Sequence, residues 1–123
     1  MKFIMDTHIF LWALAEPQKL NHKQRDEIES AANTVYLSSI SIAEIMIKAS
    51  LGKLAVTFDP VKEAEQCGFT PLDFNGHAAI QLGALPFHHK DPFDRMLIAQ
   101  SLASNIAVMS DDSKFEQYPC RLV

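Results

Sequence analysis

Residues 91–109 read Asp-Pro-Phe-Asp-Arg-Met-Leu-Ile-Ala-Gln-Ser-Leu-Ala-Ser-Asn-Ile-Ala-Val-Met, and this stretch decides the fold. Asp91 is a good cap, Pro92 suits a first helical position, and the helix they open runs through Ala103. Ile106–Met109 then reads as a short strand. The same alternation extends outward on both sides. Toward the N-terminus, Gly76–Leu85 is a helix before Pro86, Phe69–Leu72 a short strand, and Pro60–Cys67 a helix closed by Gly68. Ser41–Leu51 is a helix closed by Gly52 at the position after its end, and Val35-Tyr36-Leu37 is a β-branched and aromatic strand. Asn21-His22-Lys23-Gln24 carries a cap-plus-N3 pattern that opens a helix to about Ala32. Ile9–Ala15 is apolar on all sides, which predicts a central helix ended by Pro17, and Phe3–Met5 is a buried first strand. Toward the C-terminus, Arg121-Leu122-Val123 adds an edge strand. Strands separated by helices of this length need crossovers, so the sheet is mostly parallel. The expectation is an α/β fold, one three-layer α/β/α domain over residues 1–123.

Composition narrows the class. A chain of 123 residues buries roughly two-thirds of its unfolded surface, and 48% apolar content leaves some apolar surface for a partner. The net charge of −4 does not advertise nucleic-acid binding, although a concentrated acidic site can hide a basic rim. Cys67 and Cys120 lack metal or redox spacing and read as reduced thiols. Asp6 and His8 interrupt the N-terminal apolar run before it reaches signal-peptide length, and no run approaches a membrane span. A cytoplasmic protein with no membrane association is expected.

Asp6 closes the first strand, and Asp112 follows the run Ile106–Met109. Asp94 and Glu44 fall in the first turns of the helices opened at Asp91 and Ser41. Each acid has an ordinary role. Ser41-x-x-Glu44 is a capping box, Glu44 pairs with Lys48 at i,i+4, Asp94 suits the helix dipole, and Asp6 and Asp112 are caps. Capping does not explain why four acids converge on the strand C-terminal edge, where α/β folds bind ligands. Carboxylates gathered there repel each other unless a cation joins them. Oxygen donors without Cys or His at metal spacing suit Mg²⁺ or Mn²⁺, and such a site serves phosphodiester hydrolysis or phosphoryl transfer.

Several neighbours bear on this edge. Thr7 and Ser110 either orient the carboxylates or cap helices. His88-His89-Lys90 and Arg95 either form a basic rim for phosphate or are solvated, with Arg95 alternatively paired to a carboxylate. Trp12 reads as core.

The sequence resembles PIN-domain ribonucleases of the VapC toxin type over essentially its whole length. MDTHIFLWAL is similar to the family's first motif, and SSISIAEIMIKASLGKL to the second, with Glu44 as its acid and Lys48 one turn on. LPFHHKDPFDRMLIAQS is the strongest match and supplies Asp94 as the third acid. VMSDDSKF follows the pattern Thr/Ser-x-Asp-x-x-Phe through Ser110, Asp112 and Phe115, a spacing that favours Asp112 over Asp111. Ala43 stands where relatives often carry tryptophan, which implies looser packing around Glu44.

The resemblance implies a PIN-like fold and an endoribonuclease that is the toxin of a type II toxin–antitoxin pair. Asp6, Glu44, Asp94 and Asp112 would hold Mg²⁺ or Mn²⁺, and a metal-activated water would hydrolyse the RNA phosphodiester bond. Such toxins are usually homodimers blocked by a small antitoxin, for which the apolar helices between Ile9 and Leu51 are the expected surface. Two other readings stay open: an RNA-processing PIN nuclease without an antitoxin, and a phospho-accepting receiver domain. The receiver pattern needs an acidic pair after the first strand and a lysine after the fifth, and the chain has neither.

Overall fold

The computed structural model describes residues 1–123. Four strands form one sheet in the order β3-β2-β1-β4, from Lys2–Met5 (β1), Thr34–Ser38 (β2), Thr70–Leu72 (β3) and Ala107–Met109 (β4). All three pairings are parallel, as crossover connections require. Pro71 lies inside β3, which is tolerable because β3 is an edge strand and needs no amide on its outer side.

Strand alternation creates two cores. Phe3, Met5, Val35, Leu37, Ala107 and Met109 bury one face against Ile9, Phe10, Ile45 and Ala64. These come from helices Thr7–Ala15 (α1), Ser39–Ser50 (α3) and Pro60–Gln66 (α4). Val108 faces the other way and packs with Ile98, Phe115 and Tyr118, where Ile98 belongs to the helix Pro92–Ser104. Helices therefore flank both faces of the sheet. Each fully buried Phe, Ile or Leu contributes roughly 1.5–3 kcal/mol, so the strands are fixed by what lies above and below them.

The remaining helices are His22–Glu29 (α2) and Gly76–Gln81 (α5), which makes Pro92–Ser104 α6. The expected capping box at Asn21 and Gln24 is present, with both reciprocal bonds. Helix α2 stops at Glu29, short of Ala32, and Asn33 folds back to donate to the Glu27 carbonyl. The expected helix to Leu85 ends as α5 at Gln81 and continues as a 3₁₀ turn, Leu82–Ala84. Helix α6 closes on Asn105, which takes the left-handed conformation at φ 53°. The C-terminal edge strand does not form. Leu122 makes one parallel bridge to Val108, with Val108 N donating to Arg121 O and Val123 N to Val108 O.

Two further expectations change. Only Ile9 and Phe10 of the apolar part of α1 are fully buried, while Leu11, Trp12, Ala13 and Leu14 are half-covered. One apolar face of the helix is left partly open, so Trp12 packs against the core without being buried in it. Helix α3 begins at Ser39, capped by Ser38, so Ser41 and Glu44 form no capping box. Ala43 is exposed, so its small side chain leaves no gap around Glu44. No helix is long and apolar enough to cross a membrane.

Candidate active site

The site grows from the register of two parallel strands. Met5 pairs with Met109, and Asp6 N donates to Met109 O at 3.0 Å, so residues 6 and 110 emerge side by side. Asp6 caps α1 by accepting from Ile9 N at 2.8 Å through Oδ1, while its Oδ2 accepts from Ser110 Oγ. Ser110 Oγ also accepts from Asp112 N at 3.0 Å. One hydroxyl thus ties the acid after β1 to the acid after β4, and it caps no α-helix.

Thr7 and Glu44 make a second cluster. Thr7 Oγ1 donates to Glu44 Oε1 at 2.7 Å and has Ser41 Oγ at 2.9 Å. Glu44 Oε2 accepts from Lys48 Nζ one turn along α3, so both carboxylate oxygens are engaged. Glu44 is only 3% exposed, and its pairing with a half-exposed lysine is how a buried carboxylate stays tolerable. The hydrogen bond to Glu44 raises the Lys48 pKa, burial opposes it, and the charges of Asp91 and Asp94 add to the rise. That lysine is firmly cationic and lies within the field of α6.

Helix α6 supplies the third acid. Asp91 caps it with bonds from Phe93 N at 2.9 Å and Asp94 N at 3.2 Å, which fixes Asp94 in the first turn. Burial, followed by the charge of Asp91, pushes the Asp94 carboxyl up to about 6. A hydrogen bond from His89 opposes that rise, and the charge of Asp6 adds to it. Asp6 is raised as well, chiefly by burial, against the hydrogen bonds from Ser110 and Ile9, with Glu44 adding to the rise. Asp6 therefore feels both Glu44 and Asp94, and the acids converge electrostatically.

Asp112 caps a short 3₁₀ turn, Ser113–Gln117, by accepting from Lys114 N at 2.9 Å. Its Oδ2 lies 3.4 Å from His89 Nε2, which is 2.8 Å from Asp94 Oδ2. One donor atom from each of His89, Asp94 and Asp112 falls within 4.8 Å of the others. Asp111 is exposed and is no member of this group.

Two expectations fail here. Arg95 neither forms a rim nor pairs with a carboxylate. It is buried, donates to Pro86 O, Leu85 O and Tyr118 Oη, and lies 3.9 Å from the centre of the Phe87 ring. The carbonyls of the 85–86 loop fill the role the carboxylate would have had. His89 is not a solvated loop residue but is 8% exposed inside the acid group. The signal in the sequence is its position two residues before the helix cap, close to the acid at N3.

A groove of about 390 Å³ opens beside the site. Leu11, Trp12, Leu14, Leu54 and Phe58 line it, and Thr7, Glu44 and Lys48 stand along the same wall. The half-covered face of α1 is thus one side of a groove that reaches Glu44.

The donor set fits a hard divalent cation. The oxygens are carboxylate, they crowd on one edge, and burial strains at least two of them toward the protonated form. Without a cation, Lys48 and His89 supply the hydrogen bonds that hold the group together.

Comparison with known proteins gives the family. Two solved structures superpose over 99% of this chain and 96% of their own. One is VapBC2 from Rickettsia felis bound to a fragment of promoter DNA, with a TM-score of 0.75 at 17% identity. The other is DNA-bound VapBC from Salmonella typhimurium, with a TM-score of 0.73 at 20% identity. VapBC-5 from Mycobacterium tuberculosis, of the VapBC family of toxin–antitoxin systems, matches at 0.57 and 15% identity over 94% of this chain and 89% of that one. A search of curated proteins gives no match. At these identities the superpositions establish the fold. The sequence itself matches the PIN domain model across residues 3–119, and the chain belongs to the PIN domain family.

Proposed function

We propose that this PIN domain is a Mg²⁺- or Mn²⁺-dependent endoribonuclease and the cytoplasmic toxin of a type II toxin–antitoxin pair. What supports the reading is the grouping of Asp94 and Asp112 around His89, with Asp6 and Glu44 near enough for their charges to be felt, and with Ser110, Thr7 and Lys48 as hydrogen-bonding partners. Asp6, Asp94 and Asp112 would hold the cation, with Glu44 beside them. A bound cation supplies an acidified water and neutralises charge on the reacting phosphate. Ser110 fixes the orientation of Asp6, and Thr7 that of Glu44. Lys48, 37% exposed at the mouth of the site, provides a positive contact for phosphate. Hydrolysis in this mode leaves a 5′-phosphate and a 3′-hydroxyl.

The groove favours a toxin over a stand-alone processing nuclease. Its apolar wall suits the tail of a small antitoxin, and because Thr7, Glu44 and Lys48 also line it, that tail would cover Glu44. The VapBC structures that share the fold support such a partner. We assign the working form as a homodimer.

The deciding experiment incubates the purified chain with RNA in Mg²⁺, in Mn²⁺ and in EDTA, then repeats it with Asp94→Asn. Cleavage that requires the cation and vanishes in the variant supports the nuclease reading. Cleavage unchanged in EDTA defeats the metal, and no cleavage of any RNA defeats the enzyme. The toxin assignment is tested in cells: growth arrest on expression, relieved by the product of a neighbouring gene, is the expected result.

A further inference from the structure

His89 is the one buried imidazole in the chain, and the four-acid reading has no use for it. Its placement is not accidental packing. Tyr118 Oη accepts from His88 N at 3.1 Å and His89 N at 2.9 Å, and Arg95 Nη1 donates to the same oxygen. Arg95 also holds the Leu85 and Pro86 carbonyls. The segment from Leu85 to His89 is thereby fastened to one buried phenol and one buried guanidinium, and it ends with an imidazole at the acids.

Which ring nitrogen carries the proton decides what that imidazole does. The network assigns it. Asp91 N donates to His89 Nδ1, at a long 3.4 Å, and this amide is fixed because Asp91 caps α6. Nδ1 therefore keeps its lone pair, and the proton sits on Nε2, pointing at Asp94 Oδ2. A histidine that binds a metal through Nε2 presents a bare Nε2 and gives its other N–H to an acceptor. Here the other nitrogen faces a donor, which is the wrong arrangement for a ligand and the right one for a hydrogen-bond donor.

We propose that His89 is a positioning residue of the acid site, whose Nε2–H pins Asp94 Oδ2 beside Asp112 Oδ2, which lies 3.4 Å from the same nitrogen, setting the separation of two cation-binding carboxylates. The inference rests on the metal-nuclease reading. It also explains how Asp94 and Asp112 stay together before a cation arrives: one ring nitrogen lies between them, 2.8 Å from Asp94 Oδ2 and 3.4 Å from Asp112 Oδ2. Outer hydrogen bonds of this kind are worth 10–100-fold in metal affinity or activity.

The test has two arms on the full chain. Long-range ¹H–¹⁵N NMR of the His89 ring, with and without Mg²⁺, should show the Nε2–H tautomer in both states. Calorimetric titration of Mg²⁺ and Mn²⁺ should then give about 10–100-fold weaker binding for His89→Ala. His89→Gln, whose amide N–H can reach the same oxygen, should recover most of the loss. Wild-type affinity in His89→Ala overturns the inference, since packing alone would then be the residue's role. A bare Nε2 in the Mg²⁺ state, with His89→Gln as weak as His89→Ala, overturns it in favour of direct ligation. Failure of the wild type to bind either cation defeats the metal reading itself, which the NMR arm separates from a wrong tautomer. If His89→Ala does not fold, the glutamine variant and the wild-type spectrum still decide.

Discussion

Replacing Asp94 by asparagine should stabilise the cation-free protein and remove its gain from Mg²⁺. The folded state holds the Asp94 proton up to about pH 6, against an ordinary value of 3.8. A raised carboxyl pKa means that the folded protein binds more protons than the unfolded chain between those values. Stability from this group is therefore present at low pH, falls as pH rises from about 4 to about 6, and stays lost above that. At about 1.4 kcal/mol per pH unit the full shift corresponds to roughly 3 kcal/mol. The Asp94 side chain is 18% exposed, and water on its open side reduces the effect to about 1–2 kcal/mol. Asparagine keeps an oxygen for His89 Nε2–H and has no charge to bury. In EDTA at pH 7.5 the variant should melt roughly 5 °C above the wild type, and the difference should vanish near pH 4. Saturating Mg²⁺ should reverse the order, because a ligand at 100 times its Kd adds about 2.7 kcal/mol to the wild type alone. Scanning calorimetry from pH 4 to 8, with and without Mg²⁺, measures all of this. A variant that is less stable than the wild type in EDTA at every pH would refute the argument that ionised Asp94 is strained.

Glu44→Gln should cut RNA cleavage by orders of magnitude and destabilise by about 1–3 kcal/mol, since it loosens a charge-assisted bond to Lys48 at a buried site; full activity in a cleavage assay would return Glu44 to a structural role. Trp12→Ala should weaken an antitoxin tail peptide while leaving cleavage unchanged, because Trp12 lines the groove and makes no hydrogen bond to Asp6, Glu44, Asp94 or Asp112. Calorimetry of that peptide should show a negative heat-capacity change and binding that survives about 1 M salt, where charge is screened within roughly 3 Å. Tyr118→Phe leaves His88 N, His89 N and part of Arg95 without an acceptor, at a cost of about 1–3 kcal/mol, and hydrogen exchange at residues 88–89 should accelerate.

Sequence patterning reached the sheet because its cues are local. Pro92 after Asp91, glycine after α3 and α4, and apolar runs at residues 3–5 and 107–109 each act within a few residues. The start of helix α3 is not legible in the sequence because Ser38 and Ser41 are equally good caps on paper. What separates them is tertiary: Ser41 is fully buried beside Thr7, so its hydroxyl is not free to cap. The half-covered face of α1 has a related reason, since periodicity shows that a helix is apolar all round but not which sides the domain covers. The burial of His89 and Arg95 is not legible in the sequence because a loop histidine and a first-turn arginine look solvated until a distant tyrosine, Tyr118, is folded beneath them.

The bond from Ser110 to Asp6 spans 104 positions of the chain. At synthesis rates of about 5–20 residues per second, Asp6 waits roughly 5–20 seconds for its partner to be made. During that time Asp6, Glu44 and then Asp94 exist on the growing chain, while β4, which sets Asp6 against Ser110, does not. A chain that hydrolyses RNA while still attached to the machinery translating it would destroy its own message. On the proposed nuclease reading, splitting the site between β1 and β4 holds back its chemistry until β4 has been made and can pair with β1.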